Sequence, residues 1–384
     1  MDFKLTAFEA ENMFAAMPLA IELLDESTGR ISVHSSEFQK KIIGKWQLEI
    51  NGIRRSFGQF RLSNLNEGEV RELLLSVEVP DLCYGETAVL IIRCFDEAGT
   101  LTGCDQFILP PPAYVIPPAC KEEYFTGVRF DVSQAMISSG KLSAVIAADG
   151  MRELRYNGVK LLSSGPRLAL WRAQEMPEKF AELNLDRMRI SPDRFVSDGR
   201  SIECHALALP KKMELDELEF TQRFTPQNDG SIRYDMEFVV PECFEDIPRL
   251  GVVMRLPAEM KNITFFGKGP FENYPGSYAG ILSTYTLNAD EMYPEYPAAV
   301  SGGTRSEVRR IVLADDEGKK LEITAGNSFS FSALPFSEYS IGDAAKAGKM
   351  PASDGEIHLH IDCRIGKEKR VSAGLYRLTV FFRA

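Results

Sequence analysis

Gly267-Lys-Gly-Pro-Phe-Glu-Asn-Tyr-Pro-Gly-Ser-Tyr278 follows directly on the apolar run Ile263-Thr-Phe-Phe266. Glycine reaches backbone angles that other residues resist, and each proline fixes φ and removes a donor. The stretch predicts a rigid, irregular loop between two strands, built around Glu272-Asn-Tyr274. Working outward, residues 250–256, 308–313 and 320–324 read as strands on either side of it. Residues 219–225 and 231–239 alternate apolar with polar side chains across the turn Asn228-Asp-Gly230, and residues 358–363 and 375–382 end the chain in the same manner. Short strands broken by Gly127, Gly140, Gly150 and Gly158 precede them.

Nearer the N-terminus, about seven short strands fit into roughly ninety residues, the count of an immunoglobulin-like sandwich. Asn51-Gly52 between two apolar runs is a strong hairpin signal, and Trp46 is expected in the core. Pro110-Pro-Pro-Ala-Tyr-Val-Ile-Pro-Pro118 holds five prolines in nine residues, so it reads as an extended linker. The expected organisation is an extension (1–17), a sandwich (18–109), the linker (110–118) and a larger β region (119–384). Helical candidates are few, at 176–185 and 339–348. No regular alternation of strand with long helix exists, so a (β/α)₈ barrel does not fit.

A net charge of −11 argues against nucleic acid or an anionic membrane as partner, because both need a basic face. No run reaches the length of a membrane span. Met1-Asp-Phe-Lys-Leu5 lacks a basic region followed by an apolar one, which gives a cytoplasmic expectation. Seven cysteines without a Cys-x-x-Cys read as free thiols of a reducing compartment. The four histidines do not cluster with them at ligand spacing, so neither a metal nor another cofactor is expected.

From Phe266 the chain resembles the C-terminal part of family 2 glycoside hydrolases, the large bacterial β-galactosidases. The matching text is Phe266-Gly-Lys-Gly-Pro-Phe-Glu-Asn-Tyr-Pro275, then Asp290-Glu-Met-Tyr-Pro-Glu-Tyr296, then Gly303-Thr-Arg-Ser-Glu-Val-Arg309. Asn157-Gly-Val-Lys-Leu-Leu162 and Gly165-Pro-Arg-Leu-Ala-Leu-Trp-Arg-Ala173 supply a second match. The resemblance covers most of residues 18–384. It implies an all-β chain, an immunoglobulin-like β-sandwich followed by a galactose-mutarotase-like β-supersandwich. The family's two catalytic glutamates belong to an upstream barrel, so the resemblance implies no catalytic residue here. Two departures stand out. Gln174-Glu-Met-Pro-Glu178 replaces a loop that reaches the galactose site. His358 stands where the family carries an aromatic, before a shortened, basic Ile365-Gly-Lys-Glu-Lys-Arg370.

Candidate carbohydrate contacts are Arg172, Glu272, Asn273, Tyr274 and His358. Asn and Glu read hydroxyls, and an aromatic ring stacks on a pyranose face. The competing reading has Glu272 and Asn273 satisfying loop backbone groups left unpaired by the prolines, Arg172 paired with a carboxylate, and Tyr293 and Tyr296 packing beneath a loop. Three functions follow. The leading one is a non-catalytic module or small subunit that binds a galactoside-like carbohydrate or completes the cleft of a barrel-bearing hydrolase chain. The second is an aldose mutarotase or epimerase using His205 or His358 for proton transfer. The third is an assembly module without a ligand.

Overall fold

A computed structural model describes residues 17–26, 28–78, 81–82, 86–109, 124–173, 180–276, 280–366 and 371–384. The expected linker at 110–118, the loop at 174–178 and residues 1–16 lie outside the described residues. The chain divides into two units, one drawn from residues 1–118 and 279–284, the other from 119–278 and 285–384.

The first unit has seven strands among its described residues: β1 (Leu19–Asp25), β2 (Arg30–Ser35), β3 (Gln39–Ile50), β4 (Ile53–Leu65), β5 (Val70–Leu74), β6 (Ala88–Phe95) and β7 (Leu101–Ile108). They form two sheets, β1-β2-β5 and β4-β3-β6-β7. The β3–β4 hairpin turns at Asn51 (φ 48°) and Gly52 (φ 77°), as the Asn-Gly pair predicted, since a two-residue turn of this hand needs positive φ at both positions. Trp46, Leu48, Ile50, Leu90 and Ile92 meet Ile31 and Val33 in a shared core. The Asp105 carboxylate on β7 accepts the Ile21 N–H at 3.0 Å, tying one sheet to the other. The Trp46 ring crosses Gly58 so closely that a Cβ there would lie 2.7 Å from it.

The second unit begins with a five-stranded antiparallel sheet: β8 (Thr126–Phe130), β9 (Ala135–Ser139), β10 (Leu142–Ala147), β11 (Gly150–Tyr156) and β12 (Val159–Leu162). A twelve-stranded sheet follows. Its members are β13 (Ser164–Ala169), β14 (Arg189–Ser197), β15 (Ile202–Leu209), β16 (Leu218–Pro226), β17 (Ile232–Val240) and β18 (Arg249–Pro257), then β19 (Asn262–Gly269), β20 (Ile281–Asn288), β21 (Arg305–Ala314), β22 (Lys320–Leu334), β23 (Glu356–Ile365) and β24 (Gly374–Arg383). The main path runs β13-β18-β23-β22-β24-β17-β16-β15-β14, with β19 to β21 joined at β22. The fold is all-β, as expected.

Alternation explains the packing. Phe220, Gln222 and Phe224 on β16 point to the core with Tyr234, Met236 and Phe238 on β17, while the alternate residues Thr221, Arg223, Asp235 and Glu237 lie on the other face. Phe220–Phe238 and Phe224–Tyr234 stack at 4.9 and 4.8 Å, and Tyr234 reaches Phe382 at 5.8 Å. Such ring pairs add about 0.5–1.5 kcal/mol each beyond area burial. The same core takes in Ile137, Ala144 and Leu154 of the smaller sheet.

The helix Glu338–Lys346 occupies the second helical candidate, and Ser337 caps it by accepting the Ser340 N–H at 3.1 Å. The first candidate differs: its described part is turn followed by a 3₁₀ segment, Leu185–Arg187. Among the described residues no helix is long and apolar enough to cross a membrane. Cys94, Cys104, Cys204, Cys243 and Cys363 are free thiols, while Cys83 and Cys120 lie outside the described residues.

Candidate functional site

The Glu-Asn-Tyr loop leaves β19 through a cis Gly269–Pro270 peptide. Asn273 then turns inward and is almost fully buried. Its amide Nδ2 donates to the carbonyls of Lys268 (3.0 Å) and Phe271 (2.9 Å), and its Oδ1 accepts from the Ser306 N–H (3.0 Å) and hydroxyl (2.5 Å). Its own N–H donates to Thr304 O at 3.0 Å. The loop carbonyls thus find their partners inside the loop. Arg305 braces the same turn, donating from Nε to Pro270 O at 2.8 Å and from Nη1 to Gly303 O at 3.2 Å. Burial lowers its pKa to about 10.

Glu272 and Tyr274 flank Asn273 and point the other way, half-buried. The Tyr274 hydroxyl donates to Glu272 Oε1 at 2.5 Å, and the Tyr296 hydroxyl donates to Oε2. Burial pushes the Tyr274 phenol up to about 12, against the opposing pull of Arg172. Tyr296 is raised further, by burial and then by its bond to Glu272. Both phenols therefore keep their protons and act as donors at neutral pH. Tyr293 packs edge-on against Tyr296 and Phe336, at 5.1 and 5.0 Å.

Behind this rim lies a buried row of ions. The Arg172 guanidinium sits 4.9 Å from the Tyr274 ring centroid and donates to its hydroxyl, to Ser301 Oγ at 3.2 Å and to Ser301 O at 2.9 Å. The Ser301 hydroxyl in turn donates to Glu338 Oε1 at 2.7 Å. Glu338 also accepts the Ala173 N–H at 2.8 Å and Arg249 Nη1 at 2.9 Å. Arg249 in turn lies 3.1 Å from Asp362 through Nε and 3.0 Å from His360 Nδ1 through Nη1. The Arg249–Asp362 approach is close but poorly angled, so neither Asp362 oxygen gains a hydrogen bond among the described residues. Burial raises the Asp362 carboxyl to about 7 despite Arg249, and burial together with Arg249 holds His360 well below the usual imidazole range.

Of the candidate residues, Arg172, Glu272 and Tyr274 converge in this cluster. Asn273 faces away from them, into the loop. His358 shares a face of β23 with His360 and Asp362, but its Nε2 meets Asp354 at 2.8 Å. His205 lies on β15, between Asp193 (2.9 Å) and Glu219 (3.5 Å). Five strand steps separate β15 from β23 in the sheet order, about 24 Å along the sheet at 4.8 Å per step. The two histidines have separate carboxylate partners. Sequence reading missed Arg249, Ser301, Glu338 and Asp362; only Asp362 left a signal, as the third same-face member of His358-Leu-His-Ile-Asp362. Among the described residues no group of three or more His, Cys, Asp or Glu side chains could hold a metal ion. Gln174–Glu178 and Lys367–Arg370 lie outside the described residues.

Retaining glycoside hydrolysis needs two carboxyls about 5 Å apart across the scissile bond, one of them free to attack. Here each candidate carboxyl is engaged by the protein or sealed from solvent: Glu272 by two phenols, Glu338 by three donors, Asp362 by burial beside Arg249.

Comparison with known proteins joins this geometry to a lineage. A family model described as beta galactosidase small chain matches residues 142–366, more than half of the chain. A beta-galactosidase of Priestia megaterium is 23% identical over 267 residues, covering 67% of this chain and 26% of its own length. One from Arthrobacter sp. is 22% identical over 407 residues, covering 92% of this chain and 38% of its own length. The chain thus spans well under half of these curated relatives. Among solved structures it is similar to the GalM/aldose epimerase homologue of C. elegans, with a TM-score of 0.36 and 9% identity over 67% of this chain and 98% of that one. With its small-chain region matched from the start of β10 to just past the end of β23, the chain belongs to the beta-galactosidase small-chain family.

Proposed function

We propose that the chain is a non-catalytic module of a β-galactosidase-type hydrolase that walls the cleft of a barrel-bearing chain and contacts a galactoside-like carbohydrate. In this reading it is organised as a sandwich at 18–109, a linker at 110–118 and a small-chain-like region at 119–384. One observation carries it: the carboxyls of the Glu272-Asn-Tyr274 loop and its surroundings are engaged by protein donors or buried, which supports a cluster that holds a surface in shape rather than one presenting an acid and a nucleophile. Glu272, Tyr274 and Tyr296 form the half-exposed rim toward sugar. Arg172 positions Tyr274 from beneath, Asn273 braces the loop, and His358, held by Asp354, is the remaining proposed sugar contact.

The test is hydrolysis of a chromogenic galactoside by the chain alone and after mixing with a barrel-bearing partner chain. The chain alone should give no turnover, and the mixture should turn over faster than the partner by itself. Turnover by the chain alone would refute the non-catalytic role. An unchanged partner rate, with no saturable galactose signal in calorimetry, would refute the cleft-completing role.

A further inference from the structure

The sandwich of the first unit carries a groove on the outer face of its four-stranded sheet, opposite the core. Alternation along β3 sends Trp46, Leu48 and Ile50 inward and Lys45, Gln47 and Glu49 outward; along β6 it sends Leu90, Ile92 and Cys94 inward and Val89, Ile91 and Arg93 outward. An outward sheet face is ordinarily polar. Here Ile91, Phe95 and the 71%-exposed Phe57 give it an apolar floor. The hollow measures about 520 Å³, within the range of small-molecule sites.

The charged residues that line the hollow itself are all cations. The Arg54 guanidinium lies 5.1 Å over the Phe57 ring, the Lys45 ammonium lies 5.1 Å over Phe95, and Arg93 closes the β6 side. No carboxylate is among the described residues lining the hollow, in a chain of net charge −11. Glu49, outward on β3 opposite Arg54, is buried beside the hollow; it accepts the Gln47 amide at 2.7 Å and interacts with both Arg93 and Arg54, so three cations face one carboxylate. An apolar trough rimmed by cations is complementary to an anion with an apolar body. A neutral sugar would find few acceptors and walls that do not match its hydroxyls.

We infer that the groove over Phe57, Ile91 and Phe95 binds a small amphipathic anion, an aryl or short alkyl body ending in a carboxylate. The body rests on the floor, and the carboxylate pairs with Arg54 and Lys45. Trp46 and Gly58 also line the hollow, and the indole packs across Gly58 toward the core, so emission reports an occupant through that strand and saturation-transfer NMR is the deciding readout.

The chain has two tryptophans, and a Trp171→Phe variant of the full chain leaves Trp46 as sole reporter. Titration with 4-phenylbutyrate, and with the neutral 4-phenylbutanamide, should give saturable changes in emission, the carboxylate binding about tenfold more tightly. Arg54→Gln should narrow that preference to about threefold or less, and Phe57→Ala should weaken both probes. Both substitutions change surface side chains, and far-ultraviolet circular dichroism confirms that the variants are folded. Saturation-transfer NMR on the same two probes reads binding without the indole. Absence of saturable binding below about 10 mM by both methods overturns the assignment. Equal affinity for the acid and the amide overturns it too. A groove that instead receives a polypeptide segment gives the first of these results.

Discussion

Replacing Glu338 by alanine removes the hub of the buried ion row. Its carboxylate accepts three donors, Arg249 Nη1 at 2.9 Å, Ser301 Oγ at 2.7 Å and the Ala173 N–H at 2.8 Å. The Arg249 side chain is 1% exposed and that of Glu338 is 8% exposed, so water cannot readily replace what is lost. Breaking a buried pair by deleting one partner costs about 3–5 kcal/mol, because the remaining charge is stranded. Arg249 retains a second carboxyl, Asp362, at 3.1 Å. That places the expected loss near the lower end, about 3 kcal/mol, at pH 8 where Asp362 is mostly ionised. At pH 5 Asp362 is protonated, since burial raises it to about 7, and the same substitution should cost about 1 kcal/mol or more in addition.

Trp171 reports on this event. Its ring lies 4.9 Å from that of Tyr339, the residue after Glu338. In a Trp46→Phe background, urea unfolding followed by Trp171 emission should move to lower denaturant by about 1 M, taking a slope of about 3 kcal/mol/M for a unit of this size. The double variant with Arg249→Met should be less destabilised than the sum of the two single variants, with a coupling of about 2 kcal/mol, because the stranded charge is gone. A loss below about 1 kcal/mol, or strict additivity, would show that the ion row contributes nothing cooperative and that the reasoning from burial fails.

Asn273→Ala should cost about 2–4 kcal/mol and speed proteolysis within residues 270–276, because two carbonyls and two Ser306 donors lose their partner. Asn273→Asp should be no better, since a carboxylate cannot donate to the Lys268 and Phe271 carbonyls. Asp362→Asn should flatten the pH dependence of stability. A carboxyl raised to about 7 in the fold adds stability fully below its ordinary value near 4 and loses it as pH rises through 7, so the wild type should lose up to about 4 kcal/mol across that window that the variant keeps. His360 has the opposite sign: its depressed pKa adds stability above about 6.5 that is lost as pH falls, and this acid-side loss should persist in the variant. Gly58→Ala should destabilise the sandwich by about 1–3 kcal/mol and shift Trp46 emission in a Trp171→Phe background, because the new methyl would meet the indole at 2.7 Å.

Local features were the most legible. Asn51-Gly52 announced its hairpin, and the alternation of 219–225 and 231–239 announced β16 and β17, because turn chemistry and a period of two act over a few residues. β14 escaped because Pro192 interrupts it; the strand is the last in the sheet order and its register shifts between Pro192 and Arg194, which is where a sheet tolerates proline. The site was legible only in its loop. Arg172 meets Ser301 across 129 positions and Arg249 meets Glu338 across 89, with no short spacing to betray either pair. Glu338 looked like an ordinary acidic residue in the first turn of a helix, its usual place on dipole grounds, and nothing local marked it as buried. The row His358, His360, Asp362 was visible as one face of β23. Both faces of that strand are buried, so alternation alone could not say which one held the ions.

A general acid must hold a proton near neutral pH and must also reach the substrate. In this cluster the two requirements fall on different residues. Asp362, raised to about 7, holds its proton where an acid catalyst would, but its side chain is 0% exposed and faces Arg249. Glu272 stands at the half-exposed rim, yet both of its oxygens accept phenol protons. Tyr274 and Tyr296 cannot substitute as bases, because burial pushes both pKa values well above the neutral range. Freeing one Glu272 oxygen by Tyr296→Phe would leave its other oxygen still accepting the Tyr274 hydroxyl. That separation of the titrating group from the accessible one is the physical ground for proposing a wall rather than a second active site.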